Sequence, residues 1–301
     1  MNEQKQEIST FSAWVLATRP KTLPAAAAPI LVGCAAAFAD GFFLLLPALA
    51  CFVGATFLQI AVNLANDYFD AKNKIDSEER LGPLRVTQSG LIPPDQVKLA
   101  MILCLVVSGL LFCYLSYVGG LPVVIIGIAS LLGVLGYSGG PYPLASHGLG
   151  EVFVFIFFGL VAVCGTYFIQ TLQMNEFAVL ASLPPGLLIT NIMVINNLRD
   201  ISTDKKAGKR TLAVLLGRAN TIITYRLLLV LSYCIPVVLW GTGVRSFFIL
   251  FPLLSLPLAL IIWKEVERCV GSELNETLAK TAKLSFIFSL AFSIGLIFGN
   301  S

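Results

Sequence analysis

The sequence has few charged residues, a single histidine and no closely spaced pair of cysteines. Charged side chains make up 12% of its 301 residues, whereas an average soluble domain has about 25%. With 57% hydrophobic residues, the chain has too few polar groups to cover a water-soluble fold. The only histidine, His147, argues against a histidine metal centre or catalytic dyad. The 7 cysteines are dispersed without a CxxC pair, so we expect neither a disulfide framework nor a cysteine metal site.

The few charges leave long apolar stretches between them. A helix needs about 20 apolar residues to cross a hydrocarbon layer of about 30 Å. The charge-free stretch 99–150 is long enough for two crossings and is interrupted at Gly119-Gly120-Leu121-Pro122. The sequence therefore predicts nine membrane-spanning helices, near residues 22–39, 43–66, 98–117, 121–138, 151–172, 177–198, 220–241, 246–263 and 281–299.

The basic residues predict the orientation of these spans. Of the 20 Lys and Arg residues, all but Arg245 lie in or beside the segments that share one side of the membrane. Cytoplasmic segments carry such an excess of Lys and Arg. The polar N-terminus lacks the apolar core of a signal peptide, so we expect no cleavage. We predict one transmembrane domain over 1–301 with a cytoplasmic N-terminus and cytoplasmic segments 1–21, 67–97, 139–150, 199–219 and 264–280.

Carboxylate and amide side chains cluster in the two longest polar loops, 67–97 and 199–219. Asn66 and Asp70 are four residues apart, as are Asp200 and Asp204, so each pair shares a helix face. These oxygen ligands suit Mg²⁺, which commonly bridges one or two carboxylates to substrate phosphates. The predicted metal ligands are Asn66, Asp67, Asp70, Asp76, Asp200 and Asp204, of which Asp70, Asp200 and Asp204 are the predicted catalytic residues.

Basic residues are interleaved with these acids. Topology alone predicts cytoplasmic Lys and Arg, but it does not explain the acidic residues. Acids and bases together at the mouth of an apolar bundle indicate a substrate with a phosphate head and an oily tail, because Lys and Arg offset phosphate charge. The predicted diphosphate-binding residues are Lys72, Arg80, Arg85, Arg199, Lys205 and Lys209.

Two other segments contain candidate substrate contacts. The glycine- and proline-rich segment 137–151 carries Tyr137, Tyr142 and His147, and simple loop structure explains these residues about as well as substrate binding. Arg19 precedes the proline-interrupted start of the first span, where it either anchors the chain at the membrane surface or binds an acidic substrate group. The candidate aromatic-substrate residues are Arg19, Tyr137, Asn196 and Asn197.

The two acidic motifs resemble the signature motifs of the UbiA-type intramembrane prenyltransferases. Asn-Asp-x-x-Asp lies at 66–70 and Asp-x-x-x-Asp at 200–204. Many relatives have Asp at the position of Lys74, whereas here the next acid is Asp76, a spacing that the naphthoate branch shares. The segments that resemble the 1,4-dihydroxy-2-naphthoate prenyltransferases of menaquinone biosynthesis are 63–70, 81–90, 148–159, 165–170 and 196–213. The resemblance runs from Arg19 to about Gly217, and the last three spans add little beyond hydrophobicity.

This resemblance implies an all-α membrane protein with nine transmembrane helices around a lipid-open cavity. Two Mg²⁺ ions would lie between the motifs, and the prenyl tail would run into the bundle. The implied reaction transfers a polyprenyl group from polyprenyl diphosphate to 1,4-dihydroxy-2-naphthoate, with loss of CO₂ and diphosphate, to give demethylmenaquinone. We expect a bacterial plasma membrane location, an active site facing the cytoplasm, the lipid bilayer as surroundings and no nucleic-acid partner.

Several alternatives remain open at this point. Within the superfamily, the donor could be a phytyl diphosphate, as in a phylloquinone pathway, or the acceptor could be 4-hydroxybenzoate, homogentisate, haem or chlorophyllide. A secondary transporter usually has polar groups near the bilayer midplane, whereas the spans here are free of charge. A phosphatidyl-alcohol transferase would begin its signature with Asp-Gly-x-x-Ala-Arg, which is absent.

Overall fold

The computed structural model describes residues 8–72, 81–243 and 245–299. This part of the chain is helical without strands and contains nine helices long and apolar enough to cross a membrane. The predicted all-α fold with nine spans is therefore confirmed for the described residues. The helices are α1 Thr10–Ala39, α2 Leu45–Lys72, α3 Pro94–Gly119, α4 Leu121–Ser138, α5 Gly150–Thr171, α6 Glu176–Arg199, α7 Leu212–Gly241, α8 Phe247–Arg268 and α9 Gly271–Phe298.

The helices extend further than the apolar stretches that predict them. Helix α2 continues to Lys72, α7 begins at Leu212, and α9 begins at Gly271. A helix satisfies its own backbone hydrogen bonds, so it can continue past the hydrocarbon layer into the charged surface region. Part of the predicted loop 199–219 is also helical, since a short helix occupies Ile201–Lys206.

Helix α1 has a break that the sequence signals through Pro20. Residues Thr10–Thr18 form a first helical segment, and Leu23–Ala39 form a second one after a tight turn. Arg19 joins the two segments with a φ of 49°, in the left-handed region. A residue other than glycine seldom adopts this conformation, and such residues concentrate at functional sites.

Three helices form the centre of the bundle. The apolar windows of α1, α6 and α9 are 61%, 67% and 56% buried, against 22% for α3, which lies at the periphery. Close contact between helices depends on small residues at some crossings. A Cβ atom on Gly159 of α5 would lie 2.9 Å from the Cα of Gly186 of α6, so these two helices touch through their backbones.

A polar cluster ties the connections together at one end of the bundle. Asp40 follows α1, and its carboxylate accepts hydrogen bonds from Arg245 at 2.5 Å and from the Tyr167 hydroxyl at 2.7 Å. Asn175, ahead of α6, donates to the same carboxylate at 2.9 Å. Burial alone would raise the pKa of Asp40, but the hydrogen bonds from Arg245, Tyr167 and Asn175 hold it below its usual value. The cluster connects α1, α5, α6 and α8.

Candidate active site

A cavity of about 930 Å³ lies at the opposite end of the bundle. Residues of α1, α2, α4, α5, α6 and α9 line it, together with the segments that follow α2, α4 and α6. Its polar wall combines carboxylates, amides and basic groups, whereas its deeper wall is apolar. The lining residues discussed below are Arg19, Lys21, Gln59, Asn63, Asn66, Asp70, Arg85, Tyr137, Ser138, Asn196, Asn197, Arg199, Asp200, Asp204, Lys206, Lys209 and Asn275.

Helix α2 contributes the first acidic motif. Asn66 and Asp70 lie one helical turn apart, and both line the cavity. The carboxylate of Asp70 is paired with Arg85, which also donates to the backbone carbonyl of Asn66. Ser138, at the end of α4, donates its hydroxyl hydrogen to the side-chain oxygen of Asn66. These contacts hold the amide and the carboxylate on the cavity wall.

The structure places Asp67 away from the cavity lining. Its carboxylate oxygens accept the backbone N–H groups of Val86 at 3.0 Å and Thr87 at 3.1 Å. The side chain is buried, and both of its oxygens have protein donors. Asp67 therefore positions the segment that carries Arg85. Asp76, which was also predicted as a metal ligand, lies outside the described residues, as does the predicted diphosphate-binding residue Arg80.

The second acidic motif lies where α6 ends. The backbone N–H of Asp204 donates to the carbonyl of Asp200 at 2.8 Å, so one helical turn joins the two residues. Both side chains line the cavity. The guanidinium of Arg199 donates to the two carboxylate oxygens of Asp200 at 2.8 and 2.6 Å. It also donates to Asn196 at 2.9 Å and to Asn275 at 2.8 Å. The buried Arg199 thus fixes Asp200 and connects α6 to α9.

The carboxylates of the two motifs influence one another. The pKa of Asp204 is raised to about 6, mainly by burial and also by the negative charges of Asp200 and Asp70, while Lys209 opposes the shift. The ammonium of Lys209 lies 3.7 Å from the carboxylate of Asp204. A buried carboxylate with two acidic neighbours marks a place where an added cation would be stabilised.

The donor set fits a hard divalent cation that shares its coordination with a ligand. Among the described residues, no three Asp, Glu, His or Cys side chains converge closely enough to hold a metal ion by themselves. Mg²⁺ seldom requires such a cage, since it is usually held by one or two carboxylates together with substrate phosphates and water. The amide of Asn66 and the carboxylates of Asp70, Asp200 and Asp204 offer only oxygen ligands to the cavity, which suits that kind of site.

The five predicted diphosphate-binding residues that the structure describes divide into two groups. Arg85, Arg199 and Lys209 line the cavity. Lys72, which lies 6.0 Å from the ring centre of Tyr68, and Lys205 are exposed, and neither lines the cavity.

The candidate aromatic-substrate residues all line the cavity: they are Arg19, Tyr137, Asn196 and Asn197. The hydroxyl of Tyr137 donates to the sulfur of Met193 at 3.1 Å. The amide nitrogen of Asn197 donates to the buried carboxylate of Glu151 at 2.8 Å. The rings of Tyr142 and His147 instead stack on each other at 3.7 Å, away from the cavity lining.

The cavity also contains residues to which the sequence assigned no role. Gln59 and Asn63 precede Asn66 at helical spacing, which is a signal that the sequence does carry. Lys206 neighbours the predicted Lys205. Asn275 comes from α9, whose sequence gives no sign that it reaches the site.

A second, apolar cavity of about 130 Å³ continues from the first between α1, α2, α3, α4 and α5. The two cavities share four lining residues, which are Gln59, Val62, Phe153 and Phe158. The polar cavity at the end of the bundle therefore continues into an apolar cavity inside the bundle.

Comparison with known proteins shows likeness over nearly the whole chain. The UbiA prenyltransferase family matches residues 26–290. The 1,4-dihydroxy-2-naphthoate octaprenyltransferase of Escherichia coli (strain K12) is 35% identical over 309 residues, covering 97% of each chain. The enzyme of the same name from Mycobacterium leprae (strain TN) is 35% identical over 295 residues, covering 98% of this chain and 99% of its own. A solved UbiA homolog from Archaeoglobus fulgidus, bound to GPP and Mg²⁺, has a TM-score of 0.69 at 17% identity, covering 95% of this chain and 99% of that one.

Proposed function

The chain belongs to the UbiA prenyltransferase family and is an integral membrane prenyltransferase, and from this premise we propose that its acceptor is 1,4-dihydroxy-2-naphthoate. The observation that carries the proposal is the 35% identity over 97% of the chain to a relative named for that acceptor. The reaction would join a polyprenyl group to the naphthoate ring and release diphosphate and CO₂, giving the reduced product demethylmenaquinol. The names of these relatives favour an octaprenyl donor.

We propose that Asn66, Asp70, Asp200 and Asp204 hold Mg²⁺ together with the diphosphate of the donor. Support comes from their oxygen ligands at one cavity and from the Mg²⁺ and GPP bound by the solved homolog. A bound Mg²⁺ would act as a Lewis acid that offsets negative charge on the leaving diphosphate. Arg199, which donates two hydrogen bonds to the carboxylate of Asp200, would keep this ligand in place.

Basic residues of the cavity would bind the diphosphate itself. Lys206 and Lys209 lie on and just after the short helix that carries Asp204, and Arg85 lies against Asp70 on the other side. The charge on the diphosphate grows as its bond to the allylic carbon breaks, so fixed cations stabilise the separated state more than the bound donor.

The apolar cavity would hold the start of the prenyl tail. Its walls are almost entirely hydrocarbon, and it begins where the polar cavity ends. Exclusion of water from this region protects the allylic cation, which water would otherwise capture. The acceptor ring would lie between Tyr137 and the cations Arg19 and Lys21, which face the cavity and suit its carboxylate.

We also propose that the enzyme lies in a bacterial plasma membrane with its polar cavity facing the cytoplasm. The described basic residues around the cavity end are numerous, whereas Arg245 lies at the other end against Asp40. Such an asymmetry supports a cytoplasmic site.

A direct assay tests the acceptor and the donor. Membranes containing the protein would be incubated with 1,4-dihydroxy-2-naphthoate, Mg²⁺ and a series of prenyl diphosphates that includes octaprenyl and phytyl diphosphate, and the products identified by mass. We expect demethylmenaquinol, which air oxidises to demethylmenaquinone during extraction, no product when a chelator removes the metal, and recovery when Mg²⁺ is added back. Parallel reactions contain 4-hydroxybenzoate or homogentisate instead of the naphthoate, and product only with one of these acceptors would contradict the proposal.

A further inference from the structure

Gln59 is a buried amide in the middle of a membrane-spanning helix. Its side chain is 8% exposed, and it lines both the polar and the apolar cavity. It shares a face of α2 with Asn63, Asn66 and Asp70, at helical spacing. With a rise of about 1.5 Å per residue, Gln59 lies about 16 Å along the helix from Asp70. A polar side chain at such a depth faces the bundle interior and marks a functional site in most membrane proteins.

The neighbours of Gln59 fix the orientation of its amide group. Asn63 donates through its nitrogen to the carbonyl of Thr18 at 2.9 Å and to the hydroxyl of Thr22 at 3.1 Å, so its side-chain oxygen is an acceptor. That oxygen lies 3.4 Å from one terminal atom of Gln59, which must therefore be the amide nitrogen. The same nitrogen lies 3.4 Å from the hydroxyl of Thr22.

The carbonyl oxygen of Gln59 is consequently the unsatisfied atom. It is buried and receives no hydrogen bond within the protein. A buried amide oxygen without a donor is costly and is seldom retained without a reason. A ligand that corrects this deficit must bring a hydrogen-bond donor to the junction of the two cavities.

The chemistry of the two substrates identifies that donor. A metal-bound diphosphate presents acceptor oxygens, and a prenyl chain is a hydrocarbon. Of the two substrates, only the aromatic acceptor carries ring hydroxyl groups that can donate a hydrogen bond. The junction is also where the reacting allylic carbon belongs, since the diphosphate occupies the polar side and the tail the apolar side.

We propose that Gln59 binds the aromatic acceptor, its side-chain carbonyl receiving a hydrogen bond from a ring hydroxyl and so fixing which edge of the ring meets the prenyl chain. This assignment rests on the proposed function and adds a specificity residue to it. In this arrangement Arg19 and Lys21 bind the carboxylate of the acceptor, and the side-chain carbonyl of Gln59 accepts a hydrogen bond from its ring hydroxyl.

The variant Gln59→Met tests this role because methionine keeps the length of the side chain and removes the carbonyl. We expect the KM for 1,4-dihydroxy-2-naphthoate to rise about five- to tenfold, the value of one lost hydrogen bond, with little change in the KM for octaprenyl diphosphate. The melting temperature of the empty protein should change little, since the unsatisfied buried oxygen is removed together with only two long contacts of the amide nitrogen, at 3.4 Å to Asn63 and Thr22. A purely structural glutamine would give a lower melting temperature and leave the KM ratio unaltered.

A substrate series makes the test specific. The 1-methoxy and 4-methoxy analogues of the naphthoate each lack one hydroxyl donor. Wild type should discriminate more strongly against the ether of the hydroxyl that Gln59 binds, and Gln59→Met should lose that discrimination. Thr56→Val is the matched control on α2, because Thr56 bonds to the carbonyl of Phe52 and lines neither cavity.

The outcomes separate the two proposals. If wild type forms no product from the naphthoate, the proposed acceptor is wrong. If wild type is active but Gln59→Met keeps its acceptor KM and its discrimination between the ethers, the role of Gln59 is wrong. Gln59→Leu is assayed in parallel, so that poor folding of one variant does not decide the result.

Discussion

Asp67 and Asp70 belong to one motif and have different surroundings. Asp70 faces the cavity beside Arg85, whereas both oxygens of Asp67 accept backbone N–H groups. Helical spacing separates the two residues in the sequence, because Asp70 shares a face with Asn66 and Asp67 does not. The partners of Asp67 depend on how the segment after α2 folds, and the sequence does not predict that fold.

Substitution of the two aspartates should therefore affect turnover and stability differently. Asp70→Asn removes a charged ligand of the proposed metal diphosphate, so we expect kcat to fall on the order of a hundredfold or more. We also expect a loss of stability, because the buried guanidinium of Arg85 loses its charged partner. Asp67→Asn puts an N–H₂ group opposite a backbone donor, so we expect a loss of about 1–3 kcal/mol in stability. Turnover assays and thermal melting in detergent measure both effects. A loss of kcat in Asp67→Asn as large as that in Asp70→Asn would contradict this division of roles.

Other residues of the site show what a sequence leaves out. Lys205 was predicted and points away, while its neighbour Lys206 lines the cavity. Adjacent positions on a helix differ by about 100° in direction, so the choice between them depends on how the short helix docks. Asn275 belongs to α9 and joins Arg199 across the cavity, a contact between residues distant in the sequence.

At the scale of helices, the apolar stretches predict the existence of each span better than its ends. The hydrophobic layer dictates where charges cannot lie, but it does not stop a helix from extending beyond it. Contacts between spans are even less visible in the sequence. Gly159 and Gly186 read as two ordinary glycines in apolar runs, although their backbones meet where α5 crosses α6.

This crossing predicts a strong position dependence for glycine replacement. Gly159→Ala would bring a methyl group to 2.9 Å from the Cα of Gly186, and we expect a loss of about 1–3 kcal/mol because the helices must separate. Gly136 on α4 is the matched control, since a Cβ there meets nothing within 4 Å. Gly136→Ala should leave the melting temperature unchanged or slightly raised. Similar melting of the two variants would show that the crossing tolerates a larger separation.

The polar cluster around Asp40 holds the connections at the other end of the bundle. Its carboxylate accepts from Arg245, Tyr167 and Asn175. The lowered pKa of Asp40 means that its contribution is present at neutral pH and is lost only as the pH falls through that lowered value. We expect Asp40→Asn to reduce stability by about 1–3 kcal/mol at pH 7 while the kinetic constants stay near wild type. A large change in the KM for either substrate would contradict a purely structural role.

At the scale of the whole molecule, the fold follows from where charge is absent. Nine apolar stretches predict nine spans, and the described residues contain nine such helices. The order of the helices around the cavity could not be predicted in the same way. Placing α1, α6 and α9 at the centre requires contacts between distant spans, and no periodicity within a single span encodes them.

Orientation in the membrane depends on the same charges and yields the last prediction. Arg245 is the one basic residue on the side predicted to face away from the cytoplasm, and its partner Asp40 at 2.5 Å neutralises it. It also lies 4.2 Å from the ring of Phe177, so Arg245 does not weaken the asymmetry that the positive-inside rule requires. Two exposed positions report the two sides, Met174 between α5 and α6 and Gln96 near the start of α3.

In a variant without the native cysteines, an impermeant thiol reagent applied to intact cells should label Met174→Cys. It should label Gln96→Cys only after permeabilisation, because Gln96 lies at the end of the bundle that holds the cavity. The reverse pattern would place the diphosphate site outside the cell. A donor and acceptor made in the cytoplasm could not then reach the site, so labelling decides the orientation and the direction of substrate entry together.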